Sequence, residues 1–142
     1  MNALGLHVLI EYEKCDSQLI DDSQFVRELM LEAVRLSKAT IVTDVFHRFS
    51  PQGVSGVIVI AESHVTVHTW PEHGYAAVDV FTCGTTIEHQ KIIEHLKQGF
   101  RSRNTKSREI SRGLGLRPPG VPTSLPLGLT HASQLKGSPG TI

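Results

Sequence analysis

Gly53-Val54-Ser55-Gly56-Val57-Ile58-Val59-Ile60-Ala61-Glu62-Ser63-His64-Val65-Thr66-Val67-His68-Thr69-Trp70-Pro71-Glu72-His73-Gly74-Tyr75-Ala76-Ala77-Val78-Asp79-Val80-Phe81-Thr82-Cys83-Gly84 is the stretch that decides how this chain folds. Val57 to Ile60 is an unbroken β-branched run, the pattern of a strand buried on both faces. Beyond the polar triplet Glu62-Ser63-His64, residues Val65, Val67 and Thr69 alternate with Thr66 and His68, as on a half-buried strand. Ser63 thus falls at the join of two strands, where the chain must bend and a backbone can be held under strain. Ser55, His68 and Cys83 are the other side chains nearby that can move protons. Trp70 to Gly74 reads as a turn, and Tyr75 to Thr82 as a returning strand with Ala76, Val78 and Val80 on one face.

Upstream, Leu6, Val8, Ile10 and Tyr12 share one face of a first strand, and Cys15-Asp16-Ser17 breaks it. Asp21-Asp22-Ser23 offers caps for a helix and places acids at its positive end. Phe25, Val26, Leu29, Met30, Ala33, Val34 and Leu36 then recur at helical spacing, and the helix ends near Lys38. Thr40 to Phe49 is β-rich, and Ser50-Pro51-Gln52-Gly53 turns the chain into the strand carrying Val57. Downstream, Thr85 or Thr86 is placed to cap a second helix with Ile87, Ile92, Leu96 and Phe100 on its apolar side. A short strand is expected around Ser107 to Ile110 in the basic segment Arg101 to Arg112.

The chain has 142 residues, enough for one core, with 14 basic and 14 acidic residues. That balance gives no reason to expect a nucleic-acid partner. Two widely spaced cysteines, Cys15 and Cys83, suit a reducing compartment better than a disulfide framework. There is no basic-then-apolar leader pattern and no apolar run near the ~20 residues of a membrane span, so a cytoplasmic protein is expected. Residues 113–142 hold five of the seven prolines, six of the twelve glycines and no acid. Such a segment buries little apolar area, so we read one domain over residues 1–112 and a mobile tail over 113–142. The element order implies an α+β fold: an antiparallel sheet with two helices on one face, the other face partly apolar and suited to a second copy.

Singly, the polar residues of the opening stretch are weak signals. A serine between strands is ordinarily a turn residue, and Cys83 is readable as a small core residue. His64 and His68, with His73 farther on, hint at a metal site but lack a carboxylate-bearing helix motif. Gly53-Val54-Ser55-Gly56 is not a hydrolase nucleophile elbow and precedes a strand rather than a helix.

In order and spacing, the same residues are far more specific. The chain resembles the bacterial and archaeal S-adenosylmethionine decarboxylase proenzymes, the short pyruvoyl-dependent class, over about Leu4 to Gly84. The likeness rests on Leu4-Gly5-x-His7, Glu11, Cys15-Asp16 and Phe46-His47-Arg48-Phe49-x-Pro51-x-Gly53-Val54-Ser55-Gly56-Val57. It continues through Glu62-Ser63-His64-x-Thr66-x-His68-Thr69, Pro71-Glu72-x-Gly74-Tyr75-Ala76 and Asp79-x-Phe81-Thr82-Cys83-Gly84. Leu6, where many relatives carry Arg, and Ala61, where many carry Ser, depart from the pattern; neither is a reacting group.

The resemblance implies self-cleavage between Glu62 and Ser63, leaving a β chain of 1–62 and an α chain whose residue 63 becomes a pyruvoyl group. That group would form a Schiff base with S-adenosylmethionine, without pyridoxal phosphate or a metal, and carbon dioxide would leave. The product would be the aminopropyl donor for spermidine. By the same resemblance, His68 is the proton acceptor in processing and Ser55 holds its intermediate. Cys83 is the proton donor in decarboxylation, Phe49 stacks on adenine, and Glu72 bonds the ribose. The last two reach the site across a homodimer interface. Three rivals stand beside this reading. The same scaffold could decarboxylate L-arginine or L-ornithine; the chain could be an uncleaved relative that binds S-adenosylmethionine; or His64, His68 and His73 could hold a metal.

Overall fold

A computed structural model describes residues 3–83 and 86–116. The expectations for Thr85 as a helix cap and for most of the 113–142 tail lie outside those residues. In chain order the elements are β1 (Gly5–Glu13), a 3-10 turn (Leu19–Asp21), α1 (Ser23–Leu36), β2 (Ile41–Arg48), β3 (Val54–Ile60) and β4 (Ser63–Trp70). A second 3-10 turn (Pro71–His73), β5 (Tyr75–Thr82), α2 (His89–Phe100) and β6 (Asn104–Arg112) complete them. The strands form one sheet in the order β2-β3-β4-β5-β1-β6, with every neighbouring pair antiparallel. The expected α+β architecture is therefore present.

Period-two alternation sorts the sheet into two faces. Val8, Ile10, Tyr12, Val54, Ile58, Ile60, Val65, Val67, Ala76, Val78 and Val80 are all buried on one face. They meet Val26, Met30, Ala33 and Val34 of α1 and Ile92, Leu96 and Phe100 of α2, whose helical spacing forms matching apolar stripes. Each such branched side chain removed from water contributes about 1.5–3 kcal/mol. Tyr12 is fully buried because its hydroxyl donates to the Ile93 carbonyl at 3.0 Å while its ring meets Phe100 edge-on. Burial pushes that phenol's pKa up, so it remains neutral.

Three expectations need correction. Neither Thr86 nor any other side chain caps α2, which starts at His89 after Glu88. The lead-in is held against the end of α1, because the Glu88 amide donates to the Ser37 carbonyl at 2.9 Å and Lys38 pairs with Glu88 at 3.3 Å. β6 runs over nine residues rather than four, since it pairs with β1 from Gly5 opposite Arg112 to Glu13 opposite Asn104. β3 is not buried on both faces in the single chain: Val59 is 38% exposed and Val57 half-buried. The uncovered face explains that difference. Its rows run straight across the strands. Thr43, Val59, His64, Phe81, His7 and Ile110 form one. Val45, Val57, Thr66, Asp79, Leu9 and Arg108 form the next, and His47, Ser55, His68, Ala77, Glu11 and Lys106 the third.

Candidate active site

Two residues, Ala61 and Glu62, connect β3 to β4, and hydrogen bonds fix both. The Ala61 amide donates to the Thr40 carbonyl and the Thr40 amide to Glu62 Oε1, each at 2.9 Å. The Cys83 amide donates to the Glu62 carbonyl oxygen, also at 2.9 Å. Ser63 follows with φ of 146°, a conformation that costs a non-glycine residue about 1–3 kcal/mol. The strain expected at this join is therefore present. Ser63 Oγ lies 3.3 Å from His64 Nδ1. Ser63 pairs with Thr82, whose hydroxyl contacts His89 Nε2 at 2.9 Å, and burial lowers the His89 pKa. Cys83 is half-buried, and burial raises its thiol pKa, so the proton stays on sulfur at neutral pH. Glu62, Ser63 and Cys83 thus sit together at one end of β4.

The other four expected site residues gather at its far end. A cavity of about 340 Å³ is lined by Phe49, Gln52, Gly53, Ser55, His68, Thr69, Trp70 and Glu72. Ser55 and His68 are register partners on the open face, and Ser55 Oγ meets His68 Nδ1 at 2.8 Å. Phe49 is 47% exposed, its ring edge-on to His47, and Trp70 stacks on Tyr75. Glu72 rides the 3-10 turn that Gly74 closes at φ 57°, where a Cβ would come within 3.2 Å of the Cys15 carbonyl. Ser63 and His68 are five residues apart on one strand, about 16 Å at ~3.3 Å per residue. Within one protomer the structure does not bring the two groups together.

Sequence reasoning missed Asp21. Asp22 caps α1 through the Phe25 amide, while Asp21 clamps both ends of the Phe49 loop. Asp21 Oδ1 accepts from the Gly53 amide and Oδ2 from the Arg48 guanidinium, each at 2.8 Å. The Gly53 amide, then Arg48, hold its carboxyl below the usual carboxylate range. Thr69 was also missed as a support: its hydroxyl donates to the Ile20 carbonyl and accepts from the Val54 amide. Nothing in the local pattern separates Asp21 from Asp22, because its partners lie 27 and 32 residues away. His64 and His68 share a face, as expected, but stand four strand residues apart, about 13 Å, too far to share one metal ion. Among the described residues, no three His, Cys, Asp or Glu side chains gather as a metal site.

A half-open antiparallel sheet in two layers, a strained serine after a carbonyl held by an amide, and a neighbouring thiol fit an enzyme of the pyruvoyl-dependent decarboxylase class, to which the relatives assign the chain. The chain belongs to the S-adenosylmethionine decarboxylase family, whose model matches residues 6–113. It is 49% identical over 113 residues to the S-adenosylmethionine decarboxylase proenzyme of Thermotoga petrophila, covering 80% of this chain and 87% of the relative. The Pseudomonas aeruginosa proenzyme is 50% identical over 115 residues, 81% of this chain and 72% of its own length. The crystal structure of the adenosylmethionine decarboxylase from Aquifex aeolicus superposes with a TM-score of 0.75 at 31% identity, over 85% of this chain and all of that one.

Proposed function

We propose that this chain cuts itself between Glu62 and Ser63 and, as a homodimer, decarboxylates S-adenosylmethionine to the aminopropyl donor for spermidine. One observation carries the reading: the Glu62 carbonyl already accepts the Cys83 amide while the next residue is a strained serine. Attack of the Ser63 hydroxyl on the Glu62 carbonyl carbon moves negative charge onto the oxygen that the amide holds. Breaking the C–N bond then relieves the strain at Ser63 and leaves an ester with a free amine. Removal of the Ser63 Cα proton expels the Glu62 carboxylate, and hydrolysis with loss of ammonia makes the pyruvoyl group. That group supplies an electron sink for an α-amino acid losing carbon dioxide. Cys83 retains the proton that the decarboxylated carbon takes up.

His68 is the base of the elimination step and Ser55 its hydrogen-bonded partner, and both serve the Ser63 of a second protomer. A two-fold axis lying in the open face and crossing the strands exchanges the two ends of β4 between copies. The row of Ser55 and His68 then covers the partner's row containing His64, with Val45, Val57 and Asp79 along the axis. The same exchange brings Phe49 and Glu72 to the neighbour's Ser63 end. A ring for adenine and a carboxylate for ribose hydroxyls favour a nucleoside-bearing substrate over L-arginine or L-ornithine. Residues 1–112 form the working domain and 113–142 an appended tail. The chain has no described helix long and apolar enough to cross a membrane, and with Cys15 and Cys83 unpaired we place it in the cytoplasm.

Intact mass under denaturing conditions tests the cleavage. Wild type should give two chains parting at Glu62–Ser63, the larger blocked to Edman degradation, and Ser63→Ala one chain. Carbon dioxide release should follow S-adenosylmethionine and not arginine or ornithine. A single wild-type chain with no carbonyl trapped by borohydride would overturn the assignment.

A further inference from the structure

The self-cleavage just described leaves one proton without an acceptor: the hydroxyl proton of Ser63 as it attacks Glu62. We propose that His64 takes it, dividing processing between two histidines, His64 for the attack and His68 for the elimination. This inference rests on the cleavage reading.

Adjacent side chains on a regular strand point to opposite faces, so a serine and the histidine that follows it should not touch. Here Ser63 Oγ and His64 Nδ1 stand 3.3 Å apart. The contact exists because Ser63 leaves the strand conformation at φ 146°. The same strain that loads the scissile bond therefore turns the hydroxyl back toward the imidazole. His64 Nδ1 accepts the proton in the tautomer carrying hydrogen on Nε2.

The surroundings of His64 leave it free for this task. Its ring lies 5.7 Å from that of Phe81 and sits opposite Val59, so apolar side chains flank it in the row. Asp79, one row away, is engaged by Thr66 Oγ1 at 3.4 Å and His7 Nε2 at 3.3 Å. Within the same chain His68 is hydrogen-bonded to Ser55 at 2.8 Å and lies about 16 Å along the strand. The partner's His68, which the dimer brings to Ser63, serves the elimination, and the hydroxylamine test separates the two roles. The steps balance: the proton passes from Ser63 Oγ to His64 Nδ1 as the C–O bond forms. It returns to the Ser63 nitrogen as the C–N bond breaks, giving ester and amine. No other reactant is consumed.

Hydroxylamine separates the two histidines, because it cleaves an ester and leaves an amide intact. His68→Ala should be one chain that hydroxylamine splits at residue 62, having completed the acyl shift but not the elimination. His64→Ala and His64→Gln should each remain one chain that hydroxylamine does not split, with processing slowed about a hundredfold or more. Added imidazole should restore cleavage of His64→Ala. Thermal unfolding matched to Ser63→Ala, also an uncut chain, establishes that the variants fold, and Gln decides should Ala not do so. A folded His64 variant that forms ester or two chains at the wild-type rate would overturn the proposal, as would a hydroxylamine-resistant His68→Ala. Uncut wild type would instead sink the cleavage reading itself.

Discussion

A Ser63→Ala chain, itself never able to mature, should rescue cleavage of a His68→Ala chain when the two are co-expressed as mixed dimers. The reason is distance. A base must come within about 3 Å of the proton it removes, directly or through one water. His68 and Ser63 of one chain are about 16 Å apart along β4 at ~3.3 Å per residue. Closing that gap internally would require pulling β4 from between β3 and β5, to which it pairs along nearly its whole length. In a mixed dimer the His68→Ala chain offers its intact Ser63 to the His68 of the Ser63→Ala chain. The second site carries both lesions and stays silent. Random association of equal amounts makes about half of the dimers mixed, so about half of the His68→Ala chains should be cut. The assay is intact mass of differently tagged chains, scored as cleavage that no longer requires hydroxylamine. Tag capture showing mixed dimers in which neither chain is cut would refute the shared site.

Other outcomes follow from the same geometry. Val45 is 63% exposed in the protomer and lies on the row placed at the two-fold axis, so Val45→Lys should change protomer stability by less than about 0.5 kcal/mol. It should nevertheless give uncut monomers in sedimentation equilibrium; a processed dimer would count against the interface. Phe49→Ala should cleave normally but raise KM roughly five- to a hundredfold, from ~1–3 kcal/mol of lost stacking on a base. An unchanged KM would remove adenine from that ring. Asp21→Asn should also raise KM with little change in kcat, because the amide keeps an acceptor for Gly53 but turns an NH2 and no charge toward Arg48, so the Phe49 loop loses half its clamp. Since the folded Asp21 carboxyl lies below its ordinary 3.8, its contribution is present above that pH and is lost as pH falls through the folded value. Acid melts of the Asn variant should lack that component, and identical acid profiles would show the clamp to be idle.

Much of this protein was legible in residue order. Alternation placed Val8, Ile10, Tyr12, Ala76, Val78 and Val80 on the buried face, and helical spacing placed Val26, Met30, Ala33 and Val34 opposite them. Those are short-range signals, set by the pleat of a strand and the pitch of a helix. The order of Glu62, Ser63, His68 and Cys83 carried the family resemblance, and with it the chemistry proposed above, before any coordinates. β6 was only half legible, because a mostly polar edge strand owes its length to pairing with β1 rather than to apolar pattern. The second helix began later than its threonines suggested, because contacts with Ser37 and Lys38 hold the lead-in. Ser63 and His68 are close in sequence, whereas an extended strand carries them to opposite ends. Asp21 became visible as a clamp, and the Ser63 Oγ contact with the His64 ring, only in three dimensions. Residue order specifies which groups a chain carries, but loop closure and backbone strain decide which of them meet.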